Sequence, residues 1–582
     1  MGDGPHSGVS QPSPATSNPA TDFSIELLTA LVRLGVRHVI VSPGSRSQAL
    51  ALVAAELERI GAIELHVRID ERVGGFLALG LALESGAPAV VVTTSGTAIA
   101  NVHPAVMEAH EARVPMIVIT ADRPVELRGI RSNQTTTQPG AFGAAARVSL
   151  DVDANAGADA SALAASLWAS AAHGPVHLNL ALRDPLSAPV PDLSSLDFSA
   201  RSSESLVSAG VAGDFVTTER LAQGPRTVVI AGDKAGPAAE ELARAGGWPL
   251  IAEVSSGARF GPNLVVAYRE LLNDADFGGA VERAIVFGHP TLSREIPALL
   301  TRPDVEVIVV DDTDVPEFFD PGRGARRVSE VELEASVDPN EPDVRNWTGR
   351  WVFTSRRLVD LAAQRGAPVE SGDISDSATR AAYLRGELAA VRESVTRRML
   401  ADAVWRFTWP RDRLVLGASR LIRVLDGTVG GKKITVHANR GLGGIDGTVA
   451  TGIGVALAAS AKAEDPRIGV STPPGVTRVL LGDLTLLHDV GALLRAPGER
   501  IPPVQIVVGN DRGGTIFEGL EVAASAAPDA FERVQLTPRD VDVAALAQAY
   551  GWQYRRAATR GELDQALSAV TPEPTIIEVP LA

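Results

Sequence analysis

The sequence predicts an α/β fold of three consecutive α/β domains, each a parallel sheet covered by helices. Two observations carry this expectation. Short β-branched runs alternate with Ala/Leu-rich stretches of helical length, the pattern of strands buried on both faces. The alternation comes in three blocks separated by polar stretches, in a chain of 582 residues, more than one hydrophobic core can serve.

Residues 1–21, which open MGDGPHSGVSQPSPATSNPA, are rich in Ser, Pro and Gly and lack the basic start and apolar core of a signal peptide. They read as a disordered tail on a cytoplasmic protein. The first block, 22–190, holds HVIVS (38–42), ELHVR (64–68), AVVVTT (89–94), MIVIT (116–120) and VHLNL (176–180). A polar stretch near 187–215 reads as an interdomain linker. The second block, 210–350, carries TVVIAG (227–232), LIAEV (250–254), AIVFG (284–288) and VEVIVVDD (305–312), and turns polar near its end. A charged helical stretch at 376–400 leads into the third block, 376–582, with LVLGAS (414–419), ITVHANRG (434–441), RVLLGD (478–483), VQIVVGN (504–510) and TIIEVP (575–580). The blocks share a pattern without matching residue by residue, so no sequence repeat is inferred.

Composition narrows the function. Lys and Arg total 54 against 70 Asp and Glu, a net charge of −16, which argues against a general nucleic-acid binder. The absence of Cys excludes disulfides, a thiol nucleophile, thiolate zinc sites and iron–sulfur clusters. Lys occurs only as Lys234, Lys432, Lys433 and Lys462, and no phosphate-binding G-x-x-x-x-G-K-[ST] is present. No apolar run approaches the length of a membrane span.

Ligands of parallel α/β sheets bind beyond the carboxyl ends of the strands. Two strands of the third block end suggestively. One closes at Gly482-Asp483, the other at Asn510, followed by Asp511-Arg512-Gly513-Gly514. The 27-residue spacing from Asp483 to Asn510 is about one helix plus a return strand. It can bring an Asp carboxylate and an Asn carbonyl to one sheet edge, both hard oxygen ligands suited to Mg²⁺. The main-chain carbonyl of Arg512 is a candidate third ligand, and the glycines would let backbone approach a diphosphate. Taken singly, G-D and N-D are also ordinary strand-end turn signals. Together they resemble the GD…N signature of thiamine-diphosphate enzymes, here as GDLT where many relatives have GDG.

Such a cofactor needs a carboxylate on its aminopyrimidine ring to favour the imino tautomer, whose nitrogen removes the thiazolium proton. Glu71, where ELHVRI passes through Asp70 into VGGFLALGLALE, is the candidate. Its local sequence equally suits an acid placed at a helix N-terminus. Further motifs appear in order: SPGSRS (42–47), HVRIDER (66–72), TSGTAIAN (94–101), TADRP (120–124), NQ (133–134), ANRGLGGIDG (438–447) and GDLTLLHD (482–489). With them the chain resembles the MenD family, the 2-succinyl-5-enolpyruvyl-6-hydroxy-3-cyclohexene-1-carboxylate (SEPHCHC) synthases, over about 22–582 and most densely in blocks one and three.

The resemblance implies pyrimidine-binding (22–190), central (210–350) and diphosphate-binding (376–582) domains. It implies decarboxylation of 2-oxoglutarate on thiamine diphosphate and 1,4-addition of the succinyl semialdehyde unit to isochorismate, in menaquinone biosynthesis. Mg²⁺ or Mn²⁺ would anchor the cofactor through Asp483, Asn510 and Arg512. Sites would lie between subunits of a homodimer or homotetramer, with no nucleic-acid or membrane partner. Gly482, Asp483, Asn510, Gly513 and Gly514 would hold the diphosphate, and Ile445 would prop the bent cofactor. Both substrates are dicarboxylates, and Arg binds carboxylates bidentately. The motifs assign Ser45, Arg46, Arg123, Asn133, Gln134, Ser419, Arg423 and Arg440 to substrate, with Phe517 and Leu520 as pocket walls.

Two departures stand out. GHPTLSRE (288–295) offers Arg294 but has Ser293 where some relatives carry Lys, and GND at 509–511 replaces paired Asn. Two rivals are a carboligase on another 2-oxo acid, of the acetolactate-synthase or benzoylformate-decarboxylase kind, and a non-enzymatic relative. The Arg-bearing motifs oppose the first, and intact Glu71, Asp483 and Asn510 oppose the second. GLGGID (441–446) and GIGVAL (452–457) miss the third Gly of a dinucleotide-binding G-x-G-x-x-G.

Overall fold

Runs of Val, Ile and Leu with few polar interruptions form the strands, because branched apolar side chains pack well on a pleated surface covered on both faces. The computed structural model describes residues 18–198, 217–335, 338, 341–364, 377–463 and 475–582, except positions 223, 314, 501 and 570. The first sheet comprises β1 (His38–Val41), β2 (Glu64–Val67), β3 (Ala89–Thr93), β4 (Met116–Asp122), β5 (Ser149–Asp153) and β6 (Pro175–Ala181), in the order β2-β1-β3-β4-β6-β5. After β7 (Thr218–Leu221) come β8 (Thr227–Ala231), β9 (Leu250–Ala252), β10 (Arg283–Phe287), β11 (Glu306–Val310), β12 (Arg326–Val328) and β13 (Glu330–Leu333). These form a central sheet, β12-β11-β10-β8-β9, and a β13-β7 pair. The third sheet comprises β14 (Arg413–Leu416), β15 (Thr435–Ala438), β16 (Thr477–Gly482), β17 (Val504–Asn510), β18 (Gln553–Arg556) and β19 (Thr575–Pro580), in the order β15-β14-β16-β17-β19-β18. Every pairing between these strands is parallel, as the sequence predicts.

The first and third sheets have one topology. Counted within each sheet, both run second, first, third, fourth, sixth, fifth. In each, a long apolar helix follows the second strand: Glu71–Ser85 and Thr448–Ala463. These two helices pack on each other at backbone distance. A Cβ on Gly80 would lie 2.0 Å from the Thr451 carbonyl oxygen, and one on Gly454 would lie 2.3 Å from that of Leu77. The seam joins both sheets into one apolar cluster, from Ile40 and Val91 to Val479 and Val508.

Several boundaries differ from expectation. The tail was expected to reach 21, but Asn18 caps the helix Pro19–Leu34 by accepting the Thr21 N–H, and Ala20 and Thr21 are buried. Residues 1–17 lie outside the described part. The expected linker begins as part of the first unit: Leu193 is buried in its core, Leu196 and Phe198 pack against it, and Ser187 donates to Gln48 at 2.7 Å. Its remainder, 199–216, lies outside the described residues. Trp351 and Val352, just past the expected boundary at 350, are buried in the core under the central sheet. Strands β5, β7, β12, β13 and β18 went unpredicted because they are short, at sheet edges or in the separate pair, and mixed with polar residues. Among the described residues, no helix is long and apolar enough to cross a membrane.

Candidate active site

At the carboxyl edge of the third sheet, β16 and β17 are neighbours with Gly482 opposite Gly509. Asp483, which opens the short helix Asp483–His488, and Asn510, which closes β17, therefore emerge side by side. Asp483 is buried, and its Oδ2 has no hydrogen-bond partner among the described residues. Burial, and then the charge of Asp511, push its carboxyl up to about 6. A sequestered carboxylate oxygen left open in this way is suited to a cation. The amide of Asn510 is oriented by Glu578: Nδ2 donates to Glu578 Oε1 at 2.7 Å, and the other Glu578 oxygen accepts the Tyr554 hydroxyl at 2.6 Å. Asn510 Oδ1 is left as an acceptor, 3.2 Å from the Arg512 N–H.

The loop beyond is tightly bent. Arg512 has φ +60° and Gly513 φ +141°. A Cβ on Gly513 would lie 2.3 Å from the Leu536 oxygen, and one on Gly514 would lie 2.7 Å from that of Gln535. These glycines thus have a demand from their own chain, which the sequence reading attributed to a ligand alone. Phe517 lies beside Gly514 in the turn Thr515–Gly519, and Leu520 follows. Arg397 holds Asp511 at 2.9 Å.

The first sheet presents a basic group at its carboxyl edge. Gly44 abuts Thr94 so closely that a Cβ there would overlap the Thr94 side chain. The adjoining Ser45 is exposed, while Arg46 donates to the Leu182 carbonyl at 3.1 Å. Arg123, just past β4, donates to Ser95 Oγ at 2.8 Å and the Gln134 carbonyl at 2.7 Å. Gln134 returns a bond to the Ser95 carbonyl at 3.0 Å, and Asn133 is exposed beside it. Burial, and then the charge of Arg46, lower the Arg123 pKa. Arg46 and Arg123 therefore repel, and an anion between them would relieve that.

Glu71 opens its helix, but the capping is done by Asp70, which accepts the Arg72 N–H at 2.9 Å. The Glu71 carboxylate is left to accept from Asn101 Nδ2 at 3.0 Å. Among the described residues no hydrogen bond or ion pair joins it to Asp483 or Asn510.

A third group forms where the central and third sheets meet. Ser419 caps the helix Arg420–Thr428, and Arg423 donates to the Ser419 carbonyl at 3.0 Å. Arg440 is buried and donates to Thr291 Oγ1 at 2.9 Å and to its carbonyl at 3.2 Å. Burial, then Arg440, then Arg269 lower the Arg423 pKa, so these cations also crowd one another. Arg294 stands apart, its side chain 78% exposed and 3.5 Å from Glu521. Ile445 is partly exposed in the loop before Thr448–Ala463. A cleft of 1690 Å³ is lined by Arg440 together with Arg113, Lys234 and Asp311; neither Asp483 nor Asn510 lines it.

Comparisons with known proteins accord with these edges. Residues 23–144 match the thiamine pyrophosphate enzyme N-terminal TPP binding domain, and 432–579 match the C-terminal TPP binding domain. The 2-succinyl-5-enolpyruvyl-6-hydroxy-3-cyclohexene-1-carboxylate synthase of Leifsonia xyli subsp. xyli is 57% identical, over 98% of this chain and 97% of its own. That of Clavibacter michiganensis subsp. michiganensis is 55% identical, over 98% of each chain. The chain belongs to the SEPHCHC synthase family. A solved benzoylformate decarboxylase from Polynucleobacter necessarius, 15% identical, aligns over 97% of this chain and 99% of its own with a TM-score of 0.61, a likeness of fold.

Some residues that shape this SEPHCHC synthase-family site were not read from sequence. Glu108, on the helix Thr97–Glu111, accepts the N–H groups of Gly441 and Leu442, both at 2.8 Å, and so fixes the loop carrying Arg440. Glu253 accepts the N–H groups of Thr291 and Leu292 at 2.9 and 2.7 Å and fixes the partner of Arg440. Burial, and then Asp426, raise Glu253 to about 8. Glu578 orients Asn510. Only Glu578 had a local signal, as the acid inside the apolar run TIIEVP.

Proposed function

We propose that this chain is a SEPHCHC synthase that decarboxylates 2-oxoglutarate and adds the succinyl semialdehyde unit 1,4 to isochorismate. Its two TPP-binding domains make thiamine diphosphate its cofactor. One observation carries the reading: the open, buried carboxylate of Asp483 beside Asn510, in a chain that also gathers two crowded arginine groups. A metal-anchored diphosphate and two dicarboxylate substrates need both features at once.

The donors fit the cofactor. Asp483, Asn510 Oδ1 and the main-chain oxygen of Arg512 are hard oxygens, the set that suits Mg²⁺ or Mn²⁺. Gly482, Gly513 and Gly514 leave the diphosphate room. When bound, thiamine diphosphate supplies the nucleophilic carbon and the electron sink for decarboxylation. Glu71, steadied by Asn101, would hold a proton against the aminopyrimidine ring nitrogen of the bound cofactor, which would favour its reactive tautomer. Ile445 would pack against the bound cofactor and support its orientation. Ser45, Arg46, Arg123, Asn133 and Gln134 bind one face of the substrates, and Ser419, Arg423, Arg440 and Arg294 bind the other. Phe517 and Leu520 wall off water. Glu71 and the Asp483–Asn510 pair meet across subunits, which makes the working unit a homodimer or homotetramer, in the cytoplasm. A carboligase acting on a monocarboxylic 2-oxo acid would have less use for two arginine groups.

The test is a spectrophotometric assay of isochorismate consumption with 2-oxoglutarate, thiamine diphosphate and Mg²⁺ present, each omitted in turn. The proposal expects loss of isochorismate only when all three are supplied. Cofactor binding without isochorismate consumption would overturn the acceptor and favour the other carboligase.

A further inference from the structure

His38 on β1 and Glu64 and His66 on β2 have no part in the chemistry above. In the parallel register His38 lies opposite Glu64 and Ile40 opposite His66, so His38, Glu64 and His66 all point to one face. Both histidines are buried, and the Glu64 side chain is 37% exposed at the open side. His66 Nε2 is 3.4 Å from His38 Nδ1, which is 3.9 Å from Glu64 Oε2, and the three side chains each offer a donor atom within 4.8 Å of the others.

We infer that His38, Glu64 and His66 form a binding site for a zinc-like divalent cation at the outer edge of the first sheet. The 3.4 Å separation of the ring nitrogens is long for a hydrogen bond. It matches the edge of about 3.4 Å expected between two nitrogens each about 2.1 Å from a tetrahedral Zn²⁺. His66 Nδ1 is buried with no hydrogen-bond partner among the described residues. A ligating Nε2 would leave this Nδ1 to carry the ring proton, so the case for a ligand rests on the geometry of the His66 Nε2, His38 Nδ1 and Glu64 Oε2 atoms.

Burial, then Arg37, then Arg500 hold His38 at about 4. Burial, then His38, then Arg68 hold His66 well below the usual range. The surrounding guanidiniums oppose a cation, and Arg500 lies 3.7 Å from Glu64 Oε1. The Glu64 charge offsets one of them and Glu499 pairs with Arg68, and the set of two nitrogens and one oxygen favours zinc over the magnesium proposed at Asp483. The site would tie β1 to β2, whose continuation reaches Glu71 five residues after His66. A structural role for the metal follows, independent of the proposed reaction.

The test uses the full chain, stripped of metal and then held in saturating Mg²⁺ and thiamine diphosphate, so that the oxygen site is filled. Titration with Co²⁺ is followed by visible absorbance, and titration with Zn²⁺ by calorimetry and thermal melting. The expected result is one equivalent of Co²⁺ with intense tetrahedral bands, and a higher melting temperature with Zn²⁺. Glu64→Gln should weaken binding at least tenfold, and His66→Gln should abolish the bands. Should His66→Gln fail to fold, Glu64→Gln alone carries the comparison, because its side chain is partly exposed. Only weak octahedral bands, or a titration that Glu64→Gln leaves unchanged, would overturn the site and leave a stacked histidine pair.

Discussion

Glu84 and Arg413 form a two-pronged ion pair between the first and third α/β units, with both nitrogen–oxygen distances 2.9 Å. The Glu84 side chain is 4% exposed, and His437 Nε2 lies 2.9 Å from its Oε2. Burial alone would raise this carboxyl, but the bonds from His437 and Arg413 overcome it and hold Glu84 at about 2.

Removing that pair should loosen the seam. Glu84→Ala leaves Arg413 half-buried without its partner, a loss that elsewhere costs about 3–5 kcal/mol. The carboxyl is depressed from 4.5 to about 2, so its stabilisation is complete above pH 4.5 and is lost as pH falls through 2. Acid unfolding followed by circular dichroism should show the wild-type advantage over Glu84→Ala shrinking across that window. An advantage that persists below pH 2 would assign the effect to packing instead.

Glu71→Gln should keep thiamine diphosphate bound and slow turnover by roughly 10²–10⁴-fold, the usual cost of losing one positioned acid–base group. Single-turnover kinetics beside a cofactor-binding isotherm separates the two effects. Turnover close to wild type would remove Glu71 from the mechanism.

Asp483→Ala should abolish metal-dependent binding of thiamine diphosphate, because it deletes the open oxygen at the end of β16. Calorimetry with and without Mg²⁺ is the measurement. Equal affinity in both conditions for wild type and variant would contradict the assignment.

Glu578→Ala removes no proposed ligand, yet it leaves Asn510 Nδ2 without its acceptor. Supporting residues of this kind typically cost about 10–100-fold in metal affinity when removed. A Mg²⁺ titration of activity should shift by that factor while turnover at saturating metal stays within a few fold. An unshifted titration would mean that Asn510 is held without Glu578.

Arg440→Lys keeps a positive charge but not the fork that spans Thr291. Its catalytic efficiency should fall by an amount on the order of 1.5–3 kcal/mol, the range for a hydrogen bond to a charged group. The loss should appear for dicarboxylate and not for monocarboxylate 2-oxo acids. A loss of equal size for both would indicate a structural role alone.

The parts of the fold that a short window can encode were legible in the sequence. Strands such as MIVIT and VQIVVGN announce burial on both faces by composition, and the ends at Asp483 and Asn510 follow from them. Glu71 was placed at a helix start, but that Asp70 alone would cap the helix depends on backbone angles no local pattern reveals. The edge strand SLDVD (149–153) is not among the predicted strands, because only its neighbour β6 makes it one. Glu108 and Gly441 are 333 residues apart, and their bond exists only after two units dock. The shared topology of the first and third sheets was invisible for the same reason: strand order is a property of pairing, not of the strands.

That shared topology gives the two outer units a relation of mould to cast. Past the second strand, the first unit offers the acid Glu71 where the third offers the base Arg440. Just past the fourth, the first offers Arg123 where the third offers Asp511. One scaffold, used twice, thus carries an acid at one corner where its copy carries a base, and a base at another where its copy carries an acid.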